Sequence, residues 1–419
     1  MKKNLLSKRD NCRLCESKRL KLAVPLLPTP VAEKYLRKNE LENEELICPL
    51  DLYICLSCGH VQLLDIVDPN YLYSDYTYSS GRSKGLVDHF ENYANYICEK
   101  FKISGNELVV DIGSNDGTLL KFFKKKNIQV LGVDPATEIA LKASNDGIKT
   151  IPKFFDQKLA DKIVKENGKA KIITANNAFA HMDNLKEIMQ GIKTLMNTES
   201  LFVFEISYLV DVIDNVLLGT IFHEHHSYHS IKPLEIFFSK FDMELIDITR
   251  NSIQGGSLIG VVQFKNGKYK KNDSVKNIIK LENEKKIDKF DTLENFSKKL
   301  HKSKEKIISL LEKINDEKKT IAGFGAARSG TTLITQMQIG KLIQYMVDDN
   351  EQKHNKYSPG DHILVRPTNY IYEDKPDYLL ILAWVHSKNI IKNHQKYLEN
   401  GGSFIVCFPE LKIISKKYS

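Results

Sequence analysis

One nine-residue stretch constrains this chain more than any other: Val109-Val110-Asp111-Ile112-Gly113-Ser114-Asn115-Asp116-Gly117. Apolar strand residues run into an acid and then a turn with two glycines four apart, which lets a ligand approach the backbone at the strand's carboxyl end. A further apolar run, Val130 to Val133, ends in Asp134, about twenty residues on, the position from which a carboxylate accepts hydrogen bonds from ribose hydroxyls. Gly113 and Gly117 depart from the dinucleotide pattern G-x-G-x-x-G and suit a nucleoside that carries an amino acid better than a pyrophosphate. A plain tight turn is the alternative.

Short apolar runs (Leu108 to Ile112, Val130 to Val133, Lys171 to Ala175, Leu201 to Ile206) alternate with helical stretches from about residue 71 to 265, the pattern of a parallel sheet with crossover helices. A second alternation runs through Thr320 to Phe324, Leu342 to Val347, Tyr378 to Ala383 and Ser403 to Phe408. With 419 residues at about 150 per domain, the expected division is 1–70, a small metal-stapled module; 71–265, a first α/β domain; 266–319, a helical linker; and 320–419, a second, smaller α/β domain.

The formal net charge is +8, and residues 265–319, with 17 Lys against 10 Asp and Glu, carry +7 of it. That segment has no arginine and only Tyr269, Phe290 and Phe296 as aromatics, whereas nucleic-acid binders interleave stacking aromatics or use Arg to read guanine. Its apolar residues recur at helical spacing (Leu293, Phe296, Leu300, Ile307, Leu311, Ile314). The charge therefore reads as the wet face of amphipathic helices bridging two domains, and no nucleic-acid partner is expected. The longest apolar run, Tyr378 to Val385, is far short of the ~20 residues that span a bilayer, so no membrane partner is expected. Met1 to Asp10 lack the apolar core of a secretory signal, and the expected location is the cytoplasm, with reduced thiols.

Four of the seven cysteines form two knuckles, Cys12-x-x-Cys15 and Cys55-x-x-Cys58. Each spacing lets both sulfurs reach one tetrahedral zinc about 2.3 Å away, and four protein ligands leave no open position, so the zinc should be structural. The 39 residues between the knuckles exceed the usual ribbon gap, which keeps a redox pair or plain buried cysteines as alternatives. Cys48, Cys98 and Cys407 read as ordinary buried thiols.

A third signal is Phe222-His223-Glu224-His225-His226-Ser227-Tyr228-His229, a segment that reads as too polar for the core. H-x-H spacing can chelate a metal, but H-E-x-x-H geometry is lacking. A positioned imidazole beside a carboxylate suits proton abstraction next to a carbonyl. His181, ending Ala175-Asn176-Asn177-Ala178-Phe179-Ala180-His181, should approach the same pocket from the neighbouring strand.

The turn after Asp111 and the strand ending in Asp134 together resemble the opening motifs of class I S-adenosylmethionine (SAM) methyltransferases. From end to end the chain resembles the SAM-dependent C-methyltransferases of nucleotide-linked 4-keto deoxysugars. The resemblance is carried by the knuckles with Cys58-Gly59-His60-Val61-Gln62-Leu63, Tyr76-Thr77-Tyr78-Ser79-Ser80-Gly81, the turn after Asp111, the run ending at His181, the H-E-H-x-S-Y segment, Gly255-Gly256-Ser257, Gly323-Phe324-Gly325-Ala326-Ala327-Arg328 and Pro359-Gly360. It implies an N-terminal zinc-binding domain, a central Rossmann-like SAM domain and a C-terminal Rossmann-like domain that helps hold the nucleotide-sugar. It further implies that a base removes the proton α to the sugar ketone and that the enolate takes the methyl group. Carried over by position, His225 is the base, with Glu224, His181 and Tyr78 as positioners or enolate partners. Asp111, Gly113, Asn115, Gly117, Asp134, Asn176 and Asn177 fall on the cofactor, and Gly323, Gly325, Arg328 and His386 on the substrate.

Three positions depart from the family pattern: Phe222 stands where tyrosine is common, Gln254 where a histidine precedes the paired glycines, and Val385 where an asparagine precedes His386. Two other classes fit parts of the sequence. A SAM-dependent O- or N-methyltransferase would share the cofactor turn. An NAD-dependent oxidoreductase would use Gly323-x-Gly325, but that loop ends in Arg328 rather than a third glycine, and Arg328 suits a phosphate ligand.

Overall fold

The computed structural model describes residues 5–74, 76 and 78–416. Seven strands form the central sheet: β1 (Leu108–Ile112), β2 (Gln129–Val133), β3 (Thr150–Ile151), β4 (Ile172–Asn176), β5 (Leu201–Ser207), β6 (Met243–Asn251) and β7 (Ser257–Phe264). Their order is β3-β2-β1-β4-β5-β7-β6, with β7 antiparallel to both neighbours and the first five strands parallel. Strand order reverses between β1 and β4, the place where open α/β sheets bind ligands beyond their carboxyl ends.

β1 is buried throughout because both faces of the sheet are covered. Val110 and Ile112 pack with Ile173 and Phe204 on one side, while Val109 packs with Ile172 and Val203 on the other. Helix Lys84–Phe101 closes the second side with Phe90, Tyr93, Ala94, Ile97 and Phe101, at the i, i+3, i+4 spacing that makes one apolar stripe.

A second sheet contains β8 (Ile321–Phe324), β9 (Met346–Asp348), β10 (Val365–Pro367), β11 (Tyr378–Ile381), β12 (Ser403–Val406) and β13 (Lys412–Ile414), in the order β10-β9-β8-β11-β12-β13. Only the last pair is antiparallel. The run Leu342 to Val347 extends as a strand only from Met346; Gly340–Leu342 makes a 3-10 turn before it.

Near the N-terminus, Leu20–Val24, Leu52–Cys55 and Val61–Leu63 form an antiparallel sheet whose fourth strand, Ser227–Tyr228, comes from the histidine segment. The Lys-rich stretch forms helices Asp273–Glu284 and Phe290–Asp316, and the longer one buries Leu293, Phe296, Leu300, Ile307, Leu311 and Ile314. These six side chains join a hydrophobic core continuous from the cysteine module through the central sheet to the last sheet.

Polar contacts fix the seams. The Gln336 side chain donates to the Leu27 carbonyl and Thr29 Oγ1, both at 2.8 Å, and accepts from Leu27 N at 2.9 Å. Thr332 Oγ1 donates to the Ile221 carbonyl at 2.8 Å. Among the described residues, no helix is long and apolar enough to cross a membrane.

Candidate active site

The turn after β1 is built by two glycines. Gly113 has φ 78° and Gly117 φ 71°, the left-handed region that side chains disfavour. A Cβ on Gly113 would stand 2.5 Å from Ala178 Cβ, so the absence of a side chain brings the turn against the Ala178–His181 loop. Asp134, at the end of β2, accepts from Asn115 N at 2.8 Å and Ala136 N at 2.9 Å. Asp111 accepts from Thr174 Oγ1 at 2.6 Å and is pushed up to about 7 by burial. Asn176, at the end of β4, has both amide atoms buried without partners, and Ser114 Oγ is in the same state. Unpaired polar atoms are costly, and here they border a backbone cradle, the environment a nucleoside with an amino-acid end requires. Asn177 holds φ 52° and donates its N–H to the Glu205 carbonyl at 2.8 Å.

Residues 78–81 are pinned to this turn. Asn115 Oδ1 accepts from Ser80 N at 2.9 Å, Asn115 Nδ2 donates to the Tyr78 carbonyl at 3.0 Å, and Asp116 accepts from Gly81 N at 2.8 Å. Tyr78 itself is exposed.

The histidine segment is core, contrary to the expectation from its polarity. His223, Glu224, His226, Ser227, Tyr228 and His229 are all 3% exposed or less. The segment sits between the cysteine module and the central sheet, where polar neighbours meet part of its needs: His223 Nε2 lies 3.2 Å from the Cys48 carbonyl and Ser227 Oγ 3.2 Å from His60 Nε2. Of its four histidines only His225 is not fully buried. His225 Nδ1 lies 2.7 Å from the Thr220 carbonyl; a carbonyl can only accept, so the ring proton sits on Nδ1 and the lone pair on Nε2. Burial lowers this imidazole to about 4, which leaves it neutral at pH 7. The His181 ring lies 4.8 Å away and that of Phe222 3.9 Å away.

Arg328 opens the helix after the Gly325–Ala327 loop and turns toward the central domain. Its Nε is 3.3 Å from Glu224 and 3.6 Å from Glu33. Its guanidinium stands 4.7, 5.2 and 5.8 Å from the rings of Tyr76, Tyr78 and Phe222. Arg328, expected from its loop to suit a phosphate, thus already faces two carboxylates, while its Nη2 and Glu224 Oε2 are buried without hydrogen-bond partners. Lys353 reinforces the cluster through Glu33 at 3.1 Å and the Ala326 carbonyl at 2.7 Å. Gly325 adopts φ 100°, and a Cβ there would lie 2.5 Å from Ala383 Cβ. Gly323 lies in β8, its N–H donating to the Tyr345 carbonyl. His386, after β11, is exposed, and no hydrogen bond or ring contact among the described residues ties it to the His181–His225 pair.

Three further residues carry no local sequence signal. Glu205, fully buried at the end of β5, accepts from Asn251 Nδ2 at 2.9 Å and pairs with His89 Nε2 at 2.7 Å. They come from a helix and two non-adjacent strands, so spacing could not have revealed them.

Cys12, Cys15, Cys55 and Cys58 place four sulfurs within 4.8 Å of one another, with Cys12–Cys58 at 3.7 Å and Cys15–Cys55 at 3.5 Å. A tetrahedron with Zn–S near 2.3 Å has edges of about 3.8 Å. Gly59 closes its knuckle at φ 80°. Cys48, Cys98 and Cys407 are buried thiols outside this group.

Three family models match successive parts of the chain. Residues 12–73 match the family "Putative zinc binding domain", 92–248 the family "Methyltransferase domain" and 252–409 the family "C-methyltransferase C-terminal domain". C-methyltransferase NovU of Streptomyces niveus is 30% identical over 407 residues, 97% of each chain. The chain belongs to the SAM-dependent C-methyltransferases. In this methyltransferase the central sheet is the SAM-binding fold and the four-cysteine cluster the zinc site. Solved structures similar to part of this C-methyltransferase include a SAM-dependent methyltransferase from Anabaena variabilis (16% identity, 43% of this chain and 95% of that one, TM-score 0.32). A methyltransferase from Haloferax volcanii in complex with the Trm112 activator is 15% identical over 47% of this chain and 97% of that one, with a TM-score of 0.36.

Proposed function

We propose that this C-methyltransferase acts in the cytoplasm on a nucleotide-linked 4-keto deoxysugar, placing a methyl group on the carbon next to the ketone. The observation that carries the reading is the His225–Thr220 hydrogen bond: a neutral imidazole held with its Nε2 lone pair free, beside the glycine turn's own neighbour His181, is equipped to take a proton from carbon. Asp134 takes the cofactor's ribose, and Gly113 to Gly117 with Asp111, Asn115, Asn176 and Asn177 take its amino-acid end. When bound, SAM supplies an electrophilic methyl group on a sulfonium.

The chain's own residues supply the rest. His225 Nε2 accepts the α-proton, and the electrons of the broken C–H bond pass to the ketone oxygen. His181 and Tyr78 face the resulting enolate, stabilising charge that exists only after proton transfer. Glu224 and Arg328 neutralise one another, which holds the rings of Tyr76, Tyr78 and Phe222 around the pocket. Gly323, Gly325, Arg328 and His386 form the nucleotide-sugar side, contributed by the smaller α/β domain at 320–419. Neither nucleic acid nor a membrane takes part.

The test is incubation with labelled SAM and a panel of nucleotide-linked 4-keto sugars in deuterated solvent, followed by NMR of the product. The expected outcome is a new carbon-bound methyl group with solvent deuterium exchanged at the same carbon. His225→Ala should lower turnover and exchange together by about 10²- to 10⁴-fold, the usual worth of a positioned base, with SAM affinity unchanged. Methyl transfer to oxygen or nitrogen without α-exchange would establish the alternative, an O- or N-methyltransferase.

A further inference from the structure

The sequence gives no role to Tyr73, which ends the short helix Pro69–Tyr73. Its hydroxyl lies 3.3 Å from His181 Nδ1, and its ring packs 5.1 Å from that of Tyr76 and 5.9 Å from that of Phe154. We propose that Tyr73 is a positioning residue for the methyl transfer: its phenol fixes His181 in the tautomer that carries its proton on Nε2. This rests on the functional reading above and adds a residue to it.

Burial holds the Tyr73 phenol well above its ordinary value, so it keeps its proton, and burial holds His181 well below its own, so the ring is neutral. A neutral phenol has one proton to place, and the acceptor that the described residues offer is His181 Nδ1. Accepting there, a neutral imidazole must carry its hydrogen on Nε2. That Nε2 is buried without a partner, a donor waiting for an acceptor. The reverse arrangement, Nδ1–H donating to the phenol oxygen, would leave both the phenol proton and a bare Nε2 unsatisfied.

The site then presents two neutral imidazoles, ring centres 4.8 Å apart, in opposite tautomers. His225 offers a lone pair to the proton on carbon, and His181 offers an N–H to the oxygen that becomes negative. Both roles are needed in one step, and with the His181 tautomer reversed the two imidazoles would both present acceptors to the pocket.

The test uses the zinc-loaded full chain labelled with 15N-histidine, read by long-range 1H–15N correlation, with His181→Gln identifying the His181 signals. Wild type should show the His181 proton on Nε2. Tyr73→Phe should move that population toward Nδ1 and lower kcat roughly 2- to 12-fold, the net worth of one neutral hydrogen bond, with KM little changed. Phe154→Leu, which loosens the same tyrosine ring without touching its hydroxyl, should leave the tautomer in place. A wild-type proton on Nδ1, or an unchanged tautomer and kcat in Tyr73→Phe, would overturn the proposal. If His225→Ala abolishes α-exchange while Tyr73→Phe changes nothing, the role of Tyr73 alone fails. If His225→Ala leaves exchange intact, the functional reading itself fails, and the tautomer signal still decides the role of Tyr73.

Discussion

Acidification from pH 7 to pH 5 should destabilise this protein through its buried histidines, three of which lie in one segment, rather than through its carboxylates alone. His223, His226 and His229 are 1%, 2% and 0% exposed, and burial lowers the first to about 4 and the other two to about 3. In the unfolded chain each titrates near 6.5. Above pH 6.5 both states are neutral and the groups contribute nothing. Below it the unfolded chain binds protons that the fold refuses, so stability falls as pH falls, by about 1.36 kcal/mol per pH unit for each histidine. At pH 5 the loss is about 2 kcal/mol per group and about 6 kcal/mol for the three, against a typical domain stability of 5–15 kcal/mol. The assay is urea denaturation of zinc-loaded protein at pH 7, 6 and 5 at fixed ionic strength, for wild type and His226→Gln. The variant titrates its thiols and carboxylates as wild type does, so its shallower slope, by about 1.36 kcal/mol per unit, isolates one imidazole. Coincident slopes would mean that His226 accepts a proton without leaving the fold, and the burial argument would be wrong.

Asp134→Ala should weaken SAM binding by roughly 1.5–3 kcal/mol, the worth of hydrogen bonds to a charged group; calorimetry showing unchanged affinity would place the ribose elsewhere. Elemental analysis should find one zinc per chain, and chelation or Cys12→Ser should lower the thermal midpoint, because metal that binds only the fold adds its binding energy to folding; a midpoint indifferent to chelator would refute this. Arg328→Met should cost roughly 3–5 kcal/mol by leaving the buried Glu224 without its counter-ion, and adding Glu224→Gln should restore most of it. A double variant as unstable as the single one would show that packing, not charge, sets the cost.

The sequence by itself determined what depends on neighbours along the chain. The turn at Gly113 and Gly117 needs positive φ and close backbone approach, and glycine advertises both. The knuckles advertise their metal through a two-residue spacing, and the long helix advertises its buried stripe from Leu293 to Ile314 through a period near 3.6. Strands β1, β2, β4 and β5 stand out as apolar runs because a parallel sheet is buried on both faces. Strand β3, two residues long, is too short to show a period, and β6 and β7 fall at the sheet's far side as an antiparallel hairpin. Only the tertiary structure decided the rest. Residues 223–229 look too polar for a core, yet they form one because the cysteine module adds Ser227–Tyr228 to its own sheet and closes over them. Arg328 meets Glu224 and Glu33 across gaps of 104 and 295 residues, and Tyr73 reaches His181 across 108. Their pairing energy depends on distances of a few ångströms and on exclusion of water. Neither exists until the domains have packed, so no local pattern in the chain could encode a visible sign of them.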